Sequence, residues 1–463
     1  MKPEFLTERR AATAKRVNPQ QGNTPFPFAI AASTPSRHLS IVNVPWPEWS
    51  ACVAAAVSIA PGLRYARLRS FAGALILLAV MVTGTATWFL LPALLAVALT
   101  LRWKRPPAVA AAICLIAGSS AACWLFPEPA APPLPGPHGV GTRTLEIPGD
   151  KDTPALMLQV WYPSDDGGPH PAFAPWLPDP ALAPAFPFHR LAGAKSRAWN
   201  EAVLSTRQAR YPVVFYEHAW MGHRAENVAQ VEDLASRGFV VIAVDHPGQA
   251  SRVRHPDGTI TPGTLPSIPD LSTNEAAVDF EARADGYLAS RERDLARVKQ
   301  RLIADIIPEW KGHLTLDRVG VFGFSFGGTT ALRLCARDPW FHAGADEDGF
   351  FLGTEAPLGA FLFLDDEMPA WLLHPPGPDE TPERRLIRRS DALIRECMKE
   401  AGSQRHILNG TRHESFSDRI FLSPIPRLAK AGRRPAVELH HTIAVDLAEL
   451  FGRELKPAGD SNE

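Results

Sequence analysis

Two kinds of apolar pattern divide the chain. Phe71 to Leu101 is a run of 31 residues without a charge, and after Arg102, Lys104 and Arg105 a second uncharged stretch extends from Pro106 to Pro127. Each reaches the roughly 20 apolar residues that a membrane-crossing helix needs. A signal peptide would end sooner and would not be followed by a second such stretch. Beyond residue 138 the pattern changes to short apolar runs alternating with helix-spaced ones. Arg143–Ile147 and Leu156–Trp161 predict an antiparallel pair split by the turn residues Gly149 and Asp150. Further strands are predicted at Tyr211–Glu217, Gly238–Val244, Arg318–Phe322, Gly359–Leu364 and His406–Asn409. Helices are predicted over Ala225–Arg237, Asn274–Ile307, Phe326–Ala336 and His441–Leu455; the first carries Val228, Val231 and Leu234 on one face. Such alternation implies an α/β class with a mostly parallel sheet and helices on both faces.

The expected organisation is a polar, irregular tail over 1–70, a membrane-spanning helical region over 71–126 and an extended Pro-rich linker over 127–137. A folded domain over 138–456 and a short tail over 457–463 follow. Basic clusters at Arg64, Arg67 and Arg69 and at Arg102–Arg105 belong on the cytoplasmic side by the positive-inside rule. The second stretch then crosses outward and leaves the folded domain extracytoplasmic, whereas the number of crossings stays open. Lys and Arg total 48 against 49 for Asp and Glu, a balance that argues against a nucleic-acid partner. The 5 cysteines are too few for a disulfide framework, and Cys335 and Cys397 are read as thiols rather than a bridge. Gln249–Thr273 is a lid candidate and 365–395 a cap candidate, from position alone.

The strongest local signal is Gly323-Phe324-Ser325-Phe326-Gly327-Gly328, a G-x-S-x-G elbow between an apolar strand and a helix. In the α/β-hydrolase fold such a turn exposes a serine nucleophile above the sheet, and the chain order of its partners is Ser, acid, His. A hydroxyl needs a base that is itself oriented by an acid. Of the histidines after Ser325, His413 stands out, because it lies in a loop just past a short strand. The acid belongs to Asp346, Glu347 and Asp348, read as crowding one loop; turn geometry beside Gly349 favours Asp348, and the other two are read as solvated charges. Oxyanion donors are expected at the backbone N–H groups of Phe326 and Trp220. No metal or cofactor is implied; His218 and His223, five apart in a loop, do not form a helix-face ligand pair.

Several segments together resemble the platelet-activating-factor acetylhydrolase family and its bacterial relatives. They are Trp161-Tyr162-Pro163, the strand ending in His218, Leu234–Gly248, the elbow, the loop AGADEDG and the stretch NGTRHESFSD. The resemblance maps the acid onto Asp348, 23 residues past Ser325, and a base motif onto Gly410, His413, Phe416 and Asp418. It implies a calcium-independent serine esterase that acts on short-chain phospholipid or similar lipid esters. Two positions depart from the family: Phe324 stands where its elbow has His, and Ala219 where its oxyanion strand has Gly. If that glycine provides positive φ, alanine costs about 1–2 kcal/mol of strain. Rival readings are a general carboxylesterase or polyester hydrolase with the same triad, and an inactive hydrolase fold serving as a membrane-anchored binding module. Oligomeric state is not legible.

Overall fold

The computed structural model describes residues 46–59, 73, 74, 77, 88–103, 105–166, 172–352, 355–378, 380–399 and 402–455. The expectations for 1–45, for most of 60–87 and for 457–463 lie outside the described residues. In chain order the strands are β1 (Gly139–Ile147), β2 (Leu156–Ser164), β3 (Phe173–Pro175), β4 (Lys195–Asn200), β5 (Tyr211–Glu217), β6 (Val240–Asp245), β7 (Arg252–Arg254), β8 (Ile260–Pro262), β9 (Leu314–Phe324), β10 (Phe341–Glu347), β11 (Ala360–Asp365) and β12 (Gln404–Ile407). The α-helices are α1 (Trp46–Ile59), α2 (Leu91–Arg102), α3 (Pro106–Leu125), α4 (Val228–Ser236), α5 (Asn274–Ile303), α6 (Phe326–Arg337), α7 (Pro382–Cys397) and α8 (Ala436–Leu455).

Alternation at period two gives the main sheet two apolar faces. Val214 and Tyr216 of β5, Val241 and Ala243 of β6, and Phe322 and Phe324 of β9 face the core built with α4 and α8. Their neighbours Val213, Phe215, Ile242, Val244, Val319 and Val321 face the core built with α5, α6 and α7. Strands buried on both faces read as continuous apolar runs, and this is why YPVVFYE and VVIAV were legible. The sheet order is β12-β11-β10-β9-β5-β6-β2-β1-β4-β3. It is parallel from β12 through β6, and β2 and β1 then join antiparallel. The lid candidate contains the separate β7–β8 hairpin, and the cap candidate contains α7.

Strand β10 corrects the sequence reading, which placed Asp346 and Glu347 in a loop. Both are its last residues and fully buried, so they are not solvated charges. Cys335 and Cys397 are buried and form no disulfide.

Helix α1 also departs from expectation, since 1–70 was read as irregular. Its Ala51 and Ala55, one turn apart, pack with Ala93, Ala96 and Val97 of α2 and Ala112 and Ile116 of α3. Small side chains at that spacing let helices approach closely. Among the described residues α3 is the one helix long and apolar enough to cross a membrane; its 20 residues span about 30 Å. Aromatic rings join this bundle to the folded domain: Phe89 lies 5.2 Å from Phe186 and Phe126 lies 5.4 Å from Phe188, centroid to centroid. The Pro-rich segment is not a free spacer either. Its carbonyls are strong acceptors, and Arg197 Nε donates to Ala131 O at 2.9 Å and Pro132 O at 2.7 Å.

Helix α8 closes the first core through Phe451, which is fully buried against Phe239 and Phe322. Its ring fills the space left by Gly320, where a Cβ would come within 2.6 Å of Phe451 Cε1. Phe451→Ala is expected to lower unfolding free energy by about 3–5 kcal/mol, read from the urea midpoint at unchanged slope.

Candidate active site

The carboxyl ends of β5, β9, β10 and β12 lie along one edge of the sheet, and each is followed by a loop carrying one expected group. Open α/β sheets form their sites at this edge. After β9 the chain turns so sharply that Ser325 takes φ 57° and ψ −118°, a conformation rare for a residue with a side chain. The turn is held by Ser325 N–H donating to Glu347 O at 2.8 Å, and Gly328 N–H returns to Ser325 O at 2.9 Å. The glycines are required by contact rather than by dihedral freedom. A Cβ at Gly327 would lie 1.9 Å from Glu217 O, and one at Gly328 would lie 1.6 Å from Asp346 Oδ1.

Asp348 begins the loop after β10 at φ 57°, and its N–H donates to Leu364 O at 2.8 Å. One carboxylate oxygen accepts Asp366 N–H at 2.9 Å, and the other meets His413 Nδ1 at 2.6 Å. With Nδ1–H donated to the carboxylate, Nε2 is the basic nitrogen. The His413 ring also lies 4.8 Å from the Phe324 ring. Phe324 therefore packs against the imidazole, a role that its departure from the family pattern left undefined. Burial works against the His413 cation, but the Asp348 hydrogen bond and charge, with Glu414 and Asp366, outweigh it and raise the imidazole above its ordinary value.

The loop after β5 runs His218-Ala219-Trp220-Met221-Gly222. Positive φ falls at Met221 (55°) and not at Ala219, so the strain considered for alanine is not incurred. Neither Trp220 N–H nor Phe326 N–H has a backbone acceptor among the described residues. The Trp220 ring packs on Phe326 at 5.1 Å, on Tyr287 at 5.4 Å and on Phe280 at 5.8 Å, and its Nε1 donates to Pro266 O at 3.0 Å. These contacts form an apolar wall beside the elbow and tie the lid candidate to it.

The other histidines lie elsewhere. His406 on β12 pairs with Asp446 at 2.8 Å, and His440 is buried 3.7 Å from Asp233 rather than exposed. A cavity of about 480 Å³ is lined by Trp161, Trp176, Gln159 and Arg254 among others, and by none of Ser325, Asp348 or His413.

Several supporting residues gave no signal in the sequence. Asn227 Nδ2 donates to Glu347 Oε2 at 2.9 Å and to Phe416 O at 2.8 Å, linking β10 to the loop of His413. Trp176 Nε1 donates to Asp418 Oδ2 at 2.9 Å. Burial pushes the Asp346, Glu347 and Asp418 carboxyls well above the usual carboxylate range. Asp366 is pushed up to about 7, by burial first and then by Asp348.

A sharp elbow serine after β9, an acid after β10 and a histidine after β12, on one edge of a mostly parallel sheet, fit the α/β-hydrolase fold. Residues 125–254 match the family described as platelet-activating factor acetylhydrolase, isoform II, and 201–350 match the dienelactone hydrolase family. The platelet-activating factor acetylhydrolase of Bos taurus is 23% identical, over 62% of this chain and 68% of that protein. The same enzyme of Canis lupus familiaris is 22% identical with the same coverage. A ferulic acid esterase from Streptomyces cinnamoneus matches in fold with TM-score 0.53 and 24% identity, over 72% of this chain and 95% of its own. The chain is thus similar to platelet-activating factor acetylhydrolases and dienelactone hydrolases, and these matches support a carboxylic ester hydrolase as its enzyme class. Ser325 and Asp348 fall within the dienelactone hydrolase match alone, and His413 lies beyond both.

Asn227→Ala leaves the buried Glu347 carboxyl and Phe416 carbonyl short of a donor. It is expected to cost about 1–3 kcal/mol in a denaturant titration.

Proposed function

We propose that the protein is a membrane-tethered serine esterase acting on lipid or other lipophilic esters, of the kind platelet-activating factor acetylhydrolases hydrolyse. The observation that carries the reading is the Asp348–His413 contact of 2.6 Å, on loops at the same sheet edge as an elbow serine held at φ 57°. His413 Nε2 takes the Ser325 proton as Oγ attacks the ester carbonyl, and Asp348 stabilises the resulting imidazolium. The N–H groups of Phe326 and Trp220 receive the oxyanion. His413 then protonates the leaving alcohol, and water activated by the same imidazole releases the acyl group. The wall of Trp220, Phe280, Tyr287 and Phe326 supports an apolar acyl or alcohol group at the elbow. The apolar α3, packed on the folded domain through aromatic rings, supports an anchor that keeps the site near lipid, with the domain on the extracytoplasmic side.

A fluorophosphonate probe is expected to label the wild type at Ser325 and to leave Ser325→Ala unlabelled. An unlabelled, folded wild type would remove the enzyme reading in favour of a binding module. Hydrolysis of short-chain phosphatidylcholine is expected to exceed that of p-nitrophenyl acetate or a polyester; the reverse order would favour the general esterase.

The pH dependence follows from the direction of the His413 shift. The base acts as neutral imidazole, so raising its pKa moves the acid limb of kcat/KM to higher pH than an ordinary histidine would give. Asp348→Asn removes both the hydrogen bond and the charge. It is expected to move that limb to lower pH and to reduce kcat by about 10⁴-fold, read from pH–rate profiles.

A further inference from the structure

One cation lies wholly inside the folded domain. Arg291, on α5, has no accessible surface, and a buried guanidinium persists only when its donors and charge are met. Its partners converge on the two backbone segments assigned above as oxyanion donors. Nη1 donates to His218 O at 2.8 Å and to Thr330 Oγ1 at 3.3 Å. Nη2 donates to Ala219 O at 3.4 Å, an oxygen that also accepts His218 Nδ1–H at 2.7 Å, and Nε donates to Gln249 Oε1 at 3.0 Å. The guanidinium carbon stands 4.9 Å from the centre of the Phe326 ring, and Glu217 at 3.8 Å supplies counter-charge. From the other side, Glu226 Oε2 accepts Ala219 N–H at 2.9 Å. The peptide groups on both sides of Ala219, directly before Trp220, are therefore held by the guanidinium and by the Glu226 carboxyl, which burial pushes up to about 7. The same guanidinium packs on the side chain of Phe326, whose N–H is the second donor.

We propose that Arg291 is a positioning residue for the oxyanion hole, locking the loop of Trp220 in register with the first turn of α6. The proposal rests on the serine-esterase reading above. A guanidinium suits this task because its planar fork reaches two successive carbonyls while its face stacks on a ring; a lysine ammonium does neither. Burial lowers the Arg291 pKa to about 10, against the opposing pull of Glu217, Glu226 and Asp294, so the group stays charged at neutral pH. Arg291 touches no reacting atom in this scheme. Its effect is on where two N–H groups point when charge develops on the carbonyl oxygen.

The test uses full-length Arg291→Met and Arg291→Lys, with circular dichroism and thermal melting to establish folding. Each is assayed with p-nitrophenyl acetate and with an alkyl trifluoromethyl ketone. In the ketone complex Ser325 Oγ bonds to the carbonyl carbon, its proton moves to His413, and the former carbonyl oxygen becomes the oxyanion. Folded Arg291→Met is expected to lose about 10–100-fold in kcat with KM within about threefold, less than the 10²–10³ for deleting a donor outright. The ketone inhibition constant should rise by the same factor as kcat/KM falls, because both report transition-state binding. Arg291→Lys should recover part of each loss, and it decides the matter if the methionine variant does not fold. An unchanged kcat, or a lower kcat with undiminished ketone affinity, would overturn the proposal. Failure of fluorophosphonate to label the wild type would instead strike the esterase reading itself.

Discussion

Among the described glycines, the two with least room for a Cβ lie where α6 begins, between the ends of β5 and β10, and the geometry of the elbow depends on them. With a Cβ at Gly327 facing Glu217 O at 1.9 Å, no other residue fits without displacing a central strand. The same crowding holds Ser325 at positive φ, because Gly323 and Gly328 are pressed against Gly327 and Asp346 on either side. Strain of this kind persists only when the surroundings over-determine it. Here β9 is flanked by parallel neighbours on both sides, and both cores press on it.

Beneath that turn lies a layer of buried polar groups that few soluble cores of this size would tolerate unpaired. His246 bridges Glu217 at 2.7 Å and Asp294 at 2.9 Å with all three acceptor and donor directions inside the protein. Arg291 continues this network to the oxyanion loop, and Asn227 continues a second one from Glu347 to the His413 loop. Replacing one member would leave its partner unsatisfied, which costs more than the pair contributes. The loops after β5 and β12 are thereby tied to strands and helices.

The amino-terminal helices share this economy of contact. Their mutual packing uses alanine faces, while Leu95, Ile113 and Trp124 remain exposed on the outside. Apolar side chains turned outward on a bundle suit an apolar surrounding. The attachment to the folded domain is aromatic, through Phe89, Phe126, Phe186 and Phe188, and the Pro-rich segment is fastened by Arg197 and Ser236.

Local chemistry determined much of this protein from the sequence alone. The doubly buried strands, the helices that cover them and the elbow at Ser325 are legible because each needs a residue pattern within a dozen positions. His413 was legible as a loop histidine after a short strand. Strand β10 was not, because its acidic end, Ala-Asp-Glu, resembles a surface loop until neighbouring strands bury it. Helix α1 was missed because small residues acquire a helical face only against α2 and α3. Tertiary structure alone decided that Ala219 avoids positive φ, that Phe324 lies against the imidazole and that Arg291 reaches two carbonyls some seventy positions earlier. The physical reason is the same in each case: a pattern can specify which face of an element is apolar, but partners far apart in the chain meet only after those faces have packed.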